Sequence, residues 1–529
     1  MRYQVRVDPA ADLPEWAAAL RDQPLIGAKR ISYTRRGNPW TQLSRMTLSP
    51  TAGMAPPPGA REIVLTLDMH HLARERVPLL RLRQARDIPS AARDIGALMA
   101  YVARMSIGLH AWTFRKPDEA PPRRISRLPG AVPGLPDPVV TEMAAGRWGD
   151  ACAQRQDLDR PPREDDERPV LIRLTRYARP GGEPVLMIHG YSASGTTFAH
   201  HAVRPGPAKL LWDAGHDVWV LDLRTSAGLP TARLPWTFEE AAFNDIPLAV
   251  DRVLRETGRE RLNLLAHCMG SVMLHMALLE PREQSWERCF PLRAALKDRI
   301  SKLVISQVTP LMVMSPTNSL RGVLMQYLRP YLPLGDYAFR PEGTLTLFDH
   351  LLDRLLASLP YPEAEFDLEN PPPWPPWRMR RTPWTATRHR MDLLYGRDFA
   401  IGNVDRAVFD FIDDHFGPLN MDTVAQAIHF ARCHEITDWQ GASVYLDSLA
   451  KSLALLKAFP VLSLHGEDNG LCSADSAELL KAYYDQAAPG RYRYRVIAGH
   501  GHQDCLIGRH VATQVFPHVL AFLAEESPP

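Results

Sequence analysis

Beyond residue 169 the apolar positions fall into short, mainly apolar runs, at 170–174, 185–188, 218–221, 262–266, 303–306, 461–464 and 494–497. Runs of that length, separated by stretches with helical spacing such as 242–255 and 269–279, predict parallel strands buried on both faces by helices. The gap between the runs ending at 306 and starting at 461 is far longer than one crossover helix requires. It predicts a large cap inserted between two strands. Before residue 119 the pattern differs: short β-like runs (28–33, 63–67) alternate with turn residues, and a helical stretch spans 91–107. The segment between is charged and rich in proline, which suits an extended linker. The expected organisation is therefore an N-terminal β-rich domain over 1–118, a linker over 119–168, an α/β core over 169–306 and 456–529, and a cap over 307–455.

The chemistry gathers where the apolar runs end. Residues Leu262 to Ser271 read as a buried strand that passes through Ala266-His267-Cys268-Met269-Gly270 directly into a helix. This is the nucleophile elbow G-x-S-x-G with cysteine at its tip: the sharp turn strains the nucleophile's backbone and demands small neighbours two residues to either side, here Ala266 and Gly270. Many cysteines are no more than small buried side chains, but at an elbow Cys268 is the candidate nucleophile. A thiol with an ordinary pKa of about 8.5 beside a histidine would exist partly as thiolate and favour thioesters, activated esters or acyl transfer. The run at 185–188 ends in His189-Gly190-Tyr191, the usual place for a second oxyanion donor, so the N–H groups of Met269 and Tyr191 are the expected oxyanion hole. His189 itself reads as structural.

The expected base is His502, in Ala498-Gly499-His500-Gly501-His502-Gln503-Asp504, on the loop after the last strand. The acid is less determined. After the strand at 461–464 comes His465-Gly466-Glu467-Asp468-Asn469, which puts Asn469 where an acid usually stands. Either Asp468 serves, or an amide orients the imidazole as in Cys-His-Asn sites. Asp222 and Arg224 read as braces for the elbow, and Asp504 as a loop-orienting group too close in sequence to reach the ring.

Beyond these motifs, the stretches 191–198, 217–226, 236–240 and 244–247, with His267 to Ser271 and Gly501 to Gly508, resemble the hydrolase portion of bacterial proteins that fuse a cholesterol-oxidase-like GMC oxidoreductase to an α/β hydrolase. The His-x-Asp run also resembles that of the acid lipases. Leu25 to Lys29 and Trp40 to Leu43 resemble the small β domain of the same fusions. The resemblance implies the α/β-hydrolase fold, bulky lipid- or sterol-like esters as substrates, and a separate oxidoreductase as a candidate partner. No GxGxxG in a strand–helix context is present, so no flavin is expected, and no cofactor of any kind.

Composition narrows this further. Basic and acidic residues number 62 and 60, so no cationic field for nucleic acid is built. Six cysteines without metal-ligand spacing fit reduced thiols in a cytoplasm and no metal site. No apolar run is long enough for a spanning helix, which leaves peripheral membrane contact open. The 48 prolines exceed the roughly 5% usual in soluble chains; those at Pro371 to Trp377 place rigid backbone beside tryptophans, as a packed loop or an acyl-chain entrance. The expected activity is ester or thioester cleavage of hydrophobic acyl substrates through an acyl-enzyme. The alternatives are a polyester-synthase-like acyltransferase and an idle lipid- or partner-binding module.

Overall fold

The computed structural model describes four short strands within residues 2–66, residues 125–146, 170–279, 291–315, 335–340, 346–356, 384–445 and 459–526, and scattered positions near 96–100 and 318–325. The tryptophan-proline run at 371–377 lies outside them. Contacts divide the chain into two units, Met1–Glu119 with Gly343–Thr385, and Ala120–Glu342 with Ala386–Pro529. In the first unit, β1 (Arg2–Val5), β2 (Leu25–Ala28), β3 (Arg45–Pro50) and β4 (Ile63–Thr66) form an antiparallel meander in chain order.

The second unit is built on an eight-stranded sheet. Its strands are β5 (Val139–Ala144), β6 (Leu171–Tyr177), β7 (Pro184–Ile188), β8 (Asp217–Asp222), β9 (Leu262–His267), β10 (Ile300–Ser306), β13 (Val461–Gly466) and β14 (Tyr492–Ile497). A separate two-stranded ribbon pairs β11 (Asp336–Tyr337) with β12 (Leu419–Asn420). Across the main sheet the order is β14-β13-β10-β9-β7-β8-β6-β5. Neighbours from β14 to β8 are parallel, and β6 and β5 close the far edge antiparallel. Every residue of β7, β8, β9 and β13 is buried, as mainly apolar runs in a doubly covered sheet must be. At the edge, β14 (Tyr-Arg-Tyr-Arg-Val-Ile) is wet on much of its length. Of the proline-rich stretch ahead of the core only residues 125–146 are described, and β5 within them is in register with β6 as part of the main sheet.

Helices cover the faces: α1 (Pro207–Asp213), α2 (Ile246–Thr257), α3 (Met269–Leu278), then, from the cap, α4 (Trp384–Tyr395) and α5 (Met421–Cys433), followed by α6 (Asp475–Ala487) and α7 (Phe516–Ala524). Helix α3 is almost wholly buried, and Gly270 is what lets it lie so close to β7. A Cβ there would sit 2.4 Å from the His189 carbonyl oxygen and 2.8 Å from that of Ile188. The Asn420 side chain caps α5, accepting hydrogen bonds from the N–H groups of Asp422 and Thr423. No described helix is long and apolar enough to cross a membrane.

Candidate active site

Parallel strands in an open sheet release their loops at one edge, where ligands bind. Here Gly190 follows β7, Cys268 follows β9, Gln307 follows β10, Asn469 follows β13 and His502 follows β14, so adjacent strands deliver all of them to the same edge. Cys268 takes φ 54° and ψ −128° between β9 and α3, the strained left-hand conformation that a nucleophile elbow enforces. The Met269 N–H is directed at its sulfur. Gly190 presses against it from β7: a Cβ at that position would stand 2.8 Å from the Cys268 Cβ and 3.3 Å from Sγ.

Cys268 lines an apolar cavity of about 130 Å³, measured for the centre of a water-sized sphere, whose walls include Tyr191, Met269, Met312, Phe416, Ile428 and Phe430. The Tyr191 hydroxyl donates to the Asn420 carbonyl at 2.8 Å, which fixes the β7 loop against the start of α5.

His502 is fully buried. Its ring lies 5.0 Å, centroid to centroid, from that of His267, the residue preceding the thiol. The N–H groups of His502 and Gln503 both donate to the Asp398 carbonyl, and Asp398 and Gln503 line the cavity with Cys268. Neither ring nitrogen of His502 makes a hydrogen bond, to the Cys268 sulfur or to any other protein atom. Catalytic hydrogen bonds are often long in free enzymes and tighten on substrate.

Asp468 and Asn469 separate at this point. Asp468 is exposed, its N–H donating to the His500 carbonyl at 2.8 Å. Asn469 is buried and engaged throughout: Oδ1 accepts from the N–H groups of Leu471 and Cys472, and Nδ2 donates to Gln307 Oε1 at 2.9 Å. Neither bonds His502. The Asp504 carboxylate accepts from the N–H groups of Gly501 and Ala400 and from Asn403, and so holds the histidine loop in shape. His189 is structural: Nδ1 donates to the Gly190 carbonyl, leaving Nε2 to accept the Leu223 N–H at 3.1 Å. Arg224 is buried in a forked pair with Asp245, and Asp222 accepts from the Gly195 N–H and the Ser226 hydroxyl.

The electrostatics differ from a thiolate–imidazolium pair. Burial above all, with the Asp398 carboxyl adding, pushes the Cys268 thiol far above its ordinary range, only partly offset by the Met269 N–H. Burial, with His267 and His465 nearby, holds His502 well below the usual imidazole value. Both groups are neutral, because burial offers the charged forms too little compensation.

Sequence reasoning missed Gln307, Tyr395 and Asp398. Gln307 was findable from its place directly after a central strand; its side chain also accepts the Gly466 N–H at 2.9 Å and braces the loop carrying Asn469. Tyr395 and Asp398 come from the cap, where no local motif marks them. Among the described residues no group of His, Cys, Asp and Glu could hold a metal ion.

Comparison with known proteins agrees with this architecture. The family described as "alpha/beta hydrolase fold" matches residues 183–508. Gastric triacylglycerol lipase from Bos taurus is 30% identical over 103 residues, 18% of this chain and 26% of the lipase. Lipase member K from Homo sapiens is 25% identical over 177 residues, 32% of this chain and 41% of that protein. The chain thus spans about a quarter to two fifths of the length of these curated relatives. Among solved structures, a putative lipase from Sulfolobus solfataricus covers 75% of this chain and 97% of its own at 15% identity and a TM-score of 0.41. With the family match extending over more than half its length, the chain belongs to the alpha/beta hydrolase fold family.

Proposed function

We propose that this protein cleaves esters or thioesters of hydrophobic acyl groups, with Cys268 as nucleophile and His502 as base. The observation that carries the proposal is Cys268 itself, strained at φ 54°, facing the Met269 N–H and set in the wall of an apolar cavity. Strain at an elbow costs stability and is retained where it presents a reactive atom. The lipase relatives support an ester as the bond cleaved and an apolar group as its acyl part.

In the proposed reaction the thiol sulfur attacks the acyl carbon as His502 takes its proton. The resulting oxyanion is held by the N–H groups of Met269 and Tyr191. The carbon–oxygen or carbon–sulfur bond then breaks, His502 returns the proton to the leaving group, and water hydrolyses the acyl-cysteine by the same route. Because thiol and imidazole start neutral, His502 acts as a true general base rather than as the counter-ion of a standing thiolate. Neither Asp468 nor Asn469 needs to carry charge for this step. The proposal requires no separate oxidoreductase.

A second reading, an idle lipid-binding module, draws on one observation: the His502 ring has no hydrogen-bonded orienting partner. Intact-mass measurement of wild type and Cys268→Ala, incubated with p-nitrophenyl esters and acyl thioesters of graded chain length, separates the two. Acyl mass on wild type alone, with product release, supports cysteine catalysis; transfer to an added alcohol or thiol would identify an acyltransferase. No label on either protein, together with a Cys268 that resists iodoacetamide, favours the idle module.

A further inference from the structure

The cavity beside Cys268 is mostly apolar, with Asn318, Arg321 and Gln503 also in its wall, and its polar side chains gather most closely at one place. There Ser192, after β7, meets Tyr395 and Asp398, from the end of α4 and the loop beyond it; all line the cavity together with Cys268. Ser192 is 1% exposed and Asp398 1% exposed. The Ser192 Oγ, the Tyr395 hydroxyl and Asp398 Oδ1 are each buried; the two hydroxyls have only each other for polar partners, and Asp398 Oδ1 has none. The hydroxyls of Ser192 and Tyr395 lie side by side, and Asp398 and Cys268 stand near the Tyr395 hydroxyl. Burial above all, with Asp392 adding and Arg321 opposing, raises the Asp398 carboxyl well above the ordinary carboxylate range, so it stands as a neutral acid able both to donate and to accept.

Buried polar groups are costly unless bonded. A Phe, Leu or Ala could line the same wall at no such cost. These buried polar side chains, gathered on one side of a mostly apolar cavity, therefore form a polar subsite suited to a ligand oxygen that can donate and accept; the Arg321 guanidinium also lines the cavity, held on Asn318 Oδ1 at 2.7 Å and acting on the Asp398 carboxyl. We infer that this subsite selects acyl groups carrying a hydroxyl or carbonyl oxygen, which Ser192, Tyr395 and Asp398 hydrogen-bond while the chain packs on the apolar walls. The inference deepens the proposed function and rests on the cavity being the acyl pocket. Any solvent occupying the subsite in the free protein is replaced by the ligand's oxygen, whereas a plain acyl chain strands the three groups, and sites built for an oxygen discriminate strongly against analogues that lack it.

The test is equilibrium binding by titration calorimetry to Cys268→Ala, which cannot turn substrate over. The probes are methyl decanoate and its 3-hydroxy, 6-hydroxy and 10-hydroxy counterparts, which differ by one oxygen at graded distance from the ester. At least one hydroxy ester is expected to bind ten times or more tighter than methyl decanoate. That advantage should fall below threefold when Tyr395→Phe or Asp398→Leu is added, while affinity for methyl decanoate holds or improves, which also shows that the pocket is still folded. Equal affinity across the panel, no binding by any member, or a preference that survives both substitutions overturns the inference. Because the readout needs no turnover, an inactive wild type would overturn the proposed hydrolase and leave this result standing, and activity without the hydroxyl preference would do the reverse.

Discussion

Gly190→Ala is the substitution that bears most directly on how the nucleophile is held. An added Cβ would lie 2.8 Å from the Cys268 Cβ, whereas ordinary van der Waals contact begins at 3.4 Å, so β7 or the elbow must give by at least 0.6 Å. The contacted atom is not the far end of a flexible side chain. It is fixed to a backbone already strained at φ 54° and tied on its far side by the Cys268 N–H bond to the Ser306 carbonyl. A displacement of about 1 Å at a reacting centre costs on the order of a hundredfold in rate. A loss of kcat/KM between about tenfold and a hundredfold is therefore expected, equivalent to about 1.4–2.7 kcal/mol of transition-state stabilisation. Overpacking of this kind also lowers stability by about 1–3 kcal/mol. The assay is kcat/KM on the p-nitrophenyl ester that acylates wild type best, with urea denaturation alongside. Gly130→Ala, where a Cβ meets nothing within 4 Å, serves as the control for generic glycine effects. If Gly190→Ala keeps kcat/KM within twofold of wild type at unchanged stability, the close approach of β7 does not position Cys268 and the reasoning fails.

Further predictions follow from the buried groups. Because burial beside His267 and His465 keeps His502 neutral well below the usual imidazole value, kcat/KM should stay flat as pH falls through about 6.5; an acid limb centred there, seen in a pH–rate profile, would refute a neutral buried base. Burial raises the Glu239 carboxyl to about 8, against the opposing Gln426 hydrogen bond. The folded state thus holds a proton the unfolded state has released between about pH 4.5 and 8, so stability falls as pH rises through that window. Glu239→Gln should raise the urea midpoint at pH 8.5 and change it little at pH 4.5, and an equal effect at both would count against the assignment. Asp245→Ala strands the Arg224 guanidinium, which is 0% exposed and forked onto that carboxylate, and should cost about 3–5 kcal/mol in urea denaturation. A loss below about 1 kcal/mol would mean that Glu240, 3.7 Å away, compensates.

The sequence by itself determined the elements and the elbow. Short, mainly apolar runs can be buried only as central strands, and β7, β8, β9, β10 and β13 stand where those runs are. Ala266 and Gly270, two residues to either side of Cys268, announce a turn too tight for larger side chains, and a Cβ at Gly270 would stand 2.4 Å from the His189 carbonyl oxygen. Such features are local: a few adjacent positions state their own steric and hydrophobic demands. What stands beside the thiol is not local. The loop after β13 offered Asp468 first with Asn469 as the alternative, and packing alone exposed the first and committed the second to Gln307 and the turn at Leu471. The ordinary pKa values of cysteine and histidine suggested an ion pair, and only burial made both neutral. Asp398 and Tyr395 reach the cavity because the cap folds back over the sheet edge, where the Asp398 carbonyl takes the His502 and Gln503 N–H groups. Desolvation and long-range contact depend on which distant segments pack together, and that is decided by tertiary structure.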